Sequence, residues 1–353
     1  MILFVPIFIG LAILSTIGVA LFRALAQGNV RLMDRPNERS LHSQATVRGG
    51  GVVIATIVIL AVYLQLSTDG SRVINDALVL LSLLTIAGVG FLDDLFSVSA
   101  RVRLVVHITS ALVFCLALPI FSFEELFAGG WHGSGRLATL VLSVLWVSWS
   151  TNAFNFMDGA DGIAGLQGVV GGLGAVGVGV MLGDPLIIWF GGALAATLSG
   201  FLLHNWSPAK IFLGDVGSSF VGFLVGAIPI VALGSGKVGS ITEIPFIALG
   251  LAWPFYFDAT TTLIRRIARR EKIWKPHREH AYQRMILVGS SHASVAFGYG
   301  VLSLIPVIFL LIGFYFQSVF EILTGLGLVI STFGLFVLSK HSRMVDGSSG
   351  ESR

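Results

Sequence analysis

Charge is what this sequence lacks. Only 12% of its 353 residues are Asp, Glu, Lys or Arg, while 55% are hydrophobic and the mean hydropathy is +0.88. A soluble chain of this length needs far more charge to cover its surface, so soluble globular and disordered readings are excluded. Cysteine is nearly absent as well. Cys115 stands alone in an apolar run, which excludes an intrachain disulfide and a cysteine-based metal site and leaves a buried, inert thiol. No basic residue precedes Arg23, so the amino terminus lacks the basic stretch of a cleavable leader, and the first apolar segment is expected to stay in the mature protein.

Long apolar runs dominate instead. A membrane helix needs about 20 mostly apolar residues, and eleven segments approach that: 2–26, 49–66, 77–92, 103–121, 137–157, 163–182, 186–203, 212–233, 244–263, 292–314 and 318–338. The expected fold is an all-α, polytopic membrane protein of 10–11 spans, a single domain over 1–353. The longest non-helical stretch, 264–291, is a basic, histidine-bearing loop too short for a core of its own.

Loop charge sets the expected orientation. With the amino terminus outside, the inner segments and their flanks hold 19 of the 22 Lys and Arg residues, leaving only Arg72, Arg136 and Lys237 outside. That bias predicts N-out, C-in. The net charge of +3 is therefore an inner-face feature, suited to anionic headgroups and a phosphorylated substrate, with no nucleic-acid partner implied.

On this topology the polar clusters share one side. Asp93 and Asp94 close span three, Asn152, Asn155, Asp158 and Asp161 close span five and lead into span six, His204, Asn205, Lys210 and Asp215 lie between spans seven and eight, and His277 and His280 follow span nine. Carboxylates at membrane depth call for a cationic partner. Five converging aspartates beside several cations suit Mg2+ and a phosphate group, since magnesium takes few carboxylates and bridges to phosphate oxygens.

Each motif also has a plainer reading. One aspartate at a helix end is ordinarily a cap, but adjacent Asp93 and Asp94 repel unless something relieves them. Gly49-Gly50-Gly51 lacks the lysine and spacing of a phosphate-cradling loop. The glycines from Gly171 to Gly183 point to close helix packing, and His107 to a satisfied, helix-facing side chain. Asp258 stands two turns before Arg265, which suggests a structural pairing within span nine.

Together the motifs resemble one family, the polyprenyl-phosphate N-acetylhexosamine-1-phosphate transferases. The resemblance rests on Asp34-Arg-Pro-Asn-Glu-Arg-Ser-Leu-His42, Arg48-Gly-Gly-Gly51, Gly90-Phe-Leu-Asp-Asp94, Asn152-Ala-Phe-Asn-Phe-Met-Asp-Gly-Ala-Asp-Gly162, Pro208-Ala-Lys-Ile-Phe-Leu-Gly-Asp-Val-Gly-Ser218 and His277-Arg-Glu-His-Ala-Tyr-Gln-Arg284. It covers nearly the whole chain, with the six motifs in family order.

The resemblance implies Asp215 as magnesium ligand with Asn155 as a second metal contact, Mn2+ being a substitute for Mg2+. It implies Phe212 stacked on a uracil ring, Asp161 contacting that ring and Asp158 beside the ribose. Asn152, Lys210 and Arg48 complete the expected nucleotide and phosphate contacts. Asp93 and Asp94 would handle the lipid phosphate, and His277 and His280 the sugar-diphosphate end. The implied reaction joins undecaprenyl phosphate to a UDP-N-acetylhexosamine, or a 6-deoxy form, at the inner membrane of a bacterium, with homodimers permitted.

Two departures stand out. Ala45-Thr46-Val47 replaces the usual Pro-Thr-Pro, leaving that loop less pre-set. The histidine loop lacks the consecutive histidines of the peptidoglycan-precursor enzyme, which points to the O-antigen-initiating branch. The alternatives are the phospho-N-acetylmuramoyl-pentapeptide reaction and, from another class, a sugar-nucleotide or organic-anion transporter. A transporter would place polar groups at the midplane in two related halves, a pattern this sequence does not show.

Overall fold

The computed structural model describes residues 4–34, 45–69, 73–122, 126, 131–272 and 277–350. Residues 35–42 of the first motif, together with Arg72, Glu124, Glu125 and Lys275, lie outside the described residues. The fold is all-α, with one two-stranded ribbon. In chain order it runs α1 (Phe4–Ala26), β1 (Met33–Asp34), β2 (Thr46–Val47), α2 (Gly51–Asp69), α3 (Val73–Phe96), α4 (Ala100–Leu116), α5 (Trp131–Met157), α6 (Ile163–Leu182), α7 (Pro185–Asn205) and α8 (Gly214–Ser235). Then come α9 (Glu243–Gly250), α10 (Trp253–Ala268), α11 (Ala281–Leu287), α12 (His292–Tyr315) and α13 (Phe320–Gly350). The chain is a multi-pass membrane protein.

Among the described residues eight helices are long and apolar enough to cross a membrane, or nine when α9 and α10 count as one bent span. The segments 49–66 and 103–121 are also helical, as the shorter α2 and α4. Three sequence expectations need correction. Span four stops at Leu116, because Pro119 opens a separate 3-10 turn at Pro119–Phe121. Span nine is not straight: α9 and α10 meet at 90°, with Pro254 opening the second piece. The stretch 264–291 is partly helical, since α10 runs to Ala268 and α11 lies within it.

Local chemistry explains the helix ends. Asp184 caps α7 by accepting the Leu186 and Ile187 N–H groups at 3.0 and 3.1 Å, with Pro185 next. Ser291 caps α12 through the Ser294 N–H at 3.1 Å. The glycine-rich α6 packs closely, as its sequence suggested: a Cβ on Gly172 would stand 2.7 Å from the Gly191 carbonyl of α7. His107 is buried, with Nδ1 3.2 Å from the Asn152 amide, and Cys115 is a buried free thiol.

The core centres on α8, with α2, α3, α5 and α7 around it. The loop before α2 joins it at one end. Thr46 and Val47 pair antiparallel with Asp34 and Met33, and Val47 also bridges Ile211 in parallel. Phe212 N–H then donates to Val47 O at 2.8 Å, Gly50 N–H to Phe212 O at 3.0 Å and Gly51 N–H to Leu213 O at 2.8 Å. Strand pairing orders this loop where the two prolines are missing.

Candidate active site

The carboxyl ends of α3, α5 and α7 and the amino ends of α2, α8 and α12 enclose a cavity of about 310 Å3. Seven sequence-predicted residues line it: Arg48, Asp94, Asn155, Asp158, Asp161, Phe212 and Asp215. Asp34, Asn205, Ser218, Gln283 and His292 share its wall.

Asp215 opens α8 with its carboxylate partly exposed to the cavity. Asn155, two residues from the end of α5, donates its amide to Asp215 Oδ1 at 2.5 Å and to Ser218 Oγ at 3.1 Å. Arg103 of α4 approaches the same Oδ1 at 3.3 Å and also bonds Asp93. Opposed charges thus meet at one carboxylate whose remaining edge is open.

The aspartate pair divides its work. Asp94 is fully buried, and its two oxygens accept the Asp215 and Val216 N–H groups at 3.0 and 3.2 Å. It therefore caps α8 from another helix. Gly214 makes this possible: its φ is +79°, and a Cβ there would lie 2.6 Å from Asp94 Oδ2. Arg48 donates to the Asp94 backbone carbonyl and holds its Nε 4.0 Å from the carboxylate. Asp93 is buried against Arg103 and does not line the cavity.

The turn after α5 supplies the opposite wall. Burial, then the negative charges of Asp215 and Asp94, push the Asp158 carboxyl up to about 8. Asp161 goes the other way. Burial opposes its ionisation, but His292, the Ala209 N–H and Ser207 outweigh it and hold its carboxyl below the usual range. Ala209 N–H donates to Asp161 Oδ2 at 3.2 Å, while His292 Nδ1 lies 3.4 Å from Oδ1 and accepts the Asp161 N–H at 3.2 Å. Asn205 ties this turn to the strip before α8, accepting from Gly162 N–H at 3.0 Å and donating to Ile211 O at 2.8 Å.

Other expected residues lie elsewhere. Asn152 is engaged with His107 and the Ser148 carbonyl, and Lys210 is exposed; neither lines the cavity. His277 and His280 stand together, ring centroids 5.0 Å apart, also outside the lining. Burial, His280 and the Arg266 charge bring the His277 imidazole down to about 4, so it is neutral at physiological pH. Asp258 pairs with the histidine loop, not with exposed Arg265: His280 Nδ1 is 3.6 Å away and the Ala281 N–H 2.9 Å away.

Sequence reasoning did not single out Arg103 or His292 as site residues. The Ser291 cap that aims His292 across the cavity is a local cue for its orientation, but its partner, Asp161, is 131 positions away. Gln283 sat unremarked inside the histidine motif.

Among the described residues no three His, Cys, Asp or Glu side chains group to hold a metal ion unaided. The donor set nevertheless suits a hard divalent cation. Asp215 offers a carboxylate edge to open space, and the Asn155 amide, turned about its last torsion, presents its oxygen beside it. One or two protein oxygens plus substrate phosphates are what magnesium uses.

Comparison with known proteins fits this geometry. Residues 77–233, which carry most of the cavity's aspartates, match the model of glycosyl transferase family 4. Over that segment the chain is similar to this family. The chain is also similar to a Bacillus subtilis protein described as a "probable undecaprenyl-phosphate N-acetylglucosaminyl 1-phosphate transferase", 29% identical over 317 residues, 87% of this chain and 81% of the relative. The decaprenyl-phosphate N-acetylglucosaminephosphotransferase of Mycobacterium leprae is 28% identical over 74% of this chain and 71% of its own length. The phospho-N-acetylmuramoyl-pentapeptide-transferase of Synechococcus sp. is 30% identical over 61% of this chain and 62% of its own.

Proposed function

We propose that this protein is a family 4 glycosyl transferase that moves N-acetylhexosamine-1-phosphate from a UDP-sugar to undecaprenyl phosphate and releases UMP, starting a surface polysaccharide such as O-antigen. The observation that carries the reading is the cavity itself. Asp94, Asp158, Asp161, Asp215 and Arg48 converge at one end of a membrane helix bundle, the end that loop charge assigns to the cytoplasm. N-acetylglucosamine is the favoured sugar, since the Bacillus and Mycobacterium relatives carry it in their names.

A lipid phosphate oxygen attacks the β-phosphorus of the UDP-sugar. The bond from that phosphorus to the bridging oxygen breaks, and UMP leaves with the electron pair. Asp215 and Asn155 would hold Mg2+, which when bound neutralises diphosphate charge. Arg103 and Arg48 bring positive charge to the same wall, Phe212 offers a ring face to the base, and Asp161 arrives oriented by His292. A second recess of about 610 Å3 between α10 and α13, with Trp253, Phe257, Phe333 and Phe336 in its walls and Arg265 and Arg284 among its polar lining, offers an apolar bed for a prenyl chain.

UMP release by purified protein with undecaprenyl phosphate, across a panel of UDP-N-acetylhexosamines, tests the reading. The expected result is lipid-dependent release with UDP-N-acetylglucosamine, lost in EDTA and restored by Mg2+. Release only from UDP-N-acetylmuramoyl-pentapeptide would assign the peptidoglycan reaction instead. No release with any donor, from folded protein, would end the transferase reading.

A further inference from the structure

Asp258 lies outside the candidate active-site cavity and touches the recess between α10 and α13, yet it is only 3% exposed and takes five polar neighbours. Its Oδ1 accepts the Ala281 N–H at 2.9 Å and the Thr262 hydroxyl at 3.2 Å, and stands 3.6 Å from His280 Nδ1. Its Oδ2 accepts the Tyr299 hydroxyl at 2.7 Å and the Tyr282 N–H at 3.4 Å. Three of these groups, from His280, Ala281 and Tyr282, belong to the start of α11. A carboxylate in α10 thus fixes where α11 begins and in which rotation.

Rotation matters because of Tyr282. Its ring is 1% exposed, with edge-on contact to Tyr299, and its hydroxyl donates to Phe156 O at 3.2 Å. Phe156 stands two residues before Asp158. The same hydroxyl fills the space beside Gly159: a Cβ there would meet it at 2.2 Å, with the next ring atoms at 3.2 and 3.3 Å. Gly159 separates Asp158 from the rest of the turn that ends at Asp161, and all three line the cavity. Gln283, the next residue of α11, reaches that cavity directly and accepts the His280 N–H at 3.3 Å.

We propose that Asp258 and Tyr282 form a strut that sets the position of the 158–161 turn, making both of them positioning residues for the nucleotide-sugar pocket. The proposal rests on the transferase reading for its substrate. It adds a specific dependence: the turn is held from beneath by a phenol whose height is set by a carboxylate in a different helix. Displacing the strut moves Asp158 and Asp161, whereas Asp215 and Arg103 stand on other helices, α8 and α4. The loss should therefore fall on KM for the UDP-sugar and spare KM for the lipid acceptor.

The test is a four-cornered cycle of the full-length protein: wild type, Gly159→Ala, Tyr282→Phe and the double variant. Gly159→Ala forces a collision with the hydroxyl and should raise KM for the UDP-sugar by roughly tenfold or more, with lipid KM unchanged. Tyr282→Phe removes one hydrogen bond and should raise it about two- to fivefold. Removing the hydroxyl also removes the obstacle, so the double variant should recover at least about fivefold relative to Gly159→Ala alone. Melting midpoints of the same four proteins should show the same sign of coupling without any substrate. Additive losses in both readouts, or an equal rise in lipid KM, would overturn the strut.

Should Gly159→Ala fail to yield folded protein, Asp258→Asn and Tyr282→Phe decide. Both should raise UDP-sugar KM, Tyr282→Phe without a change in lipid KM, and an unchanged UDP-sugar KM in both contradicts the proposal. Wild-type protein that turns over no UDP-sugar would sink the transferase reading, while the cycle in melting midpoint still decides the packing of the strut.

Discussion

Helices α1 and α8 are nearly matched in apolarity, and α1 is slightly the more apolar. Yet 94% of the apolar window of α8 lies inside the protein, against 11% for α1. In a bilayer, lipid tails serve an apolar side chain as well as another helix does, so hydropathy alone buries nothing. Small residues and polar caps make the difference. On α8, a Cβ at Gly222 would meet the Ser150 carbonyl at 2.7 Å, and one at Gly226 the Ser150 Cβ at 2.7 Å. Its first turn is capped by Asp94 from α3. By contrast a Cβ on Gly10 of α1 would meet nothing within 4 Å. The buried helix is also the one whose amino end carries Asp215, so close packing and the candidate chemistry share a cause.

The comparison breaks most severely at Gly51. A Cβ there would stand 2.2 Å from Gly217 Cα, so α2 must move off α8. Gly51→Ala should abolish turnover and lower stability by about 3 kcal/mol or more, read as a fall in melting midpoint in detergent. Next comes Asp94→Asn, which leaves one oxygen for two N–H groups. It should cost about 1–3 kcal/mol and reduce turnover roughly a hundredfold by shifting Asp215. Measured kcat within a factor of two of wild type would show that Asp94 does not hold the start of α8.

A smaller effect separates the cavity wall from the buried helix by pH. The folded-state pKa of Asp158 is raised to about 8 from 3.8, so the folded protein keeps a proton that the unfolded chain releases earlier. Its contribution is fully present at low pH and is lost as pH rises from about 4 through about 8. With EDTA present, wild-type melting midpoints should fall more between about pH 6 and about pH 9 than those of Asp158→Asn. Equal slopes would show that Asp158 does not carry this pH dependence. Smallest of all, Gly10→Ala should leave turnover unchanged and stability within about 0.5 kcal/mol of wild type, as expected of a site without neighbours. A loss of a degree or more in melting midpoint together with reduced turnover would mean that the exposed face of α1 meets something in the membrane.

Much of this was legible in the residues. Apolar runs gave the helical membrane fold, and the grouping of Asp94, Asn155, Asp158, Asp161 and Asp215 at helix ends gave the cavity, because these features depend on local spacing. The rest depends on partners far apart in sequence. Nothing near Asp94 says that its oxygens serve the backbone 121 positions away, and the pairing of Asp258 with α11 rather than Arg265 needs the chain to fold back after Ala268. The 90° break between α9 and α10 was hidden by continuous hydropathy, which registers composition and not direction.

The most direct measurement on the account as a whole compares wild type with Asp215→Asn for UMP release and for melting midpoint in the same preparation. The account predicts loss of Mg2+-dependent release by roughly a thousandfold with a midpoint close to wild type, since Asp215 faces the cavity and not the core. Release near the wild-type rate from the folded variant would contradict it.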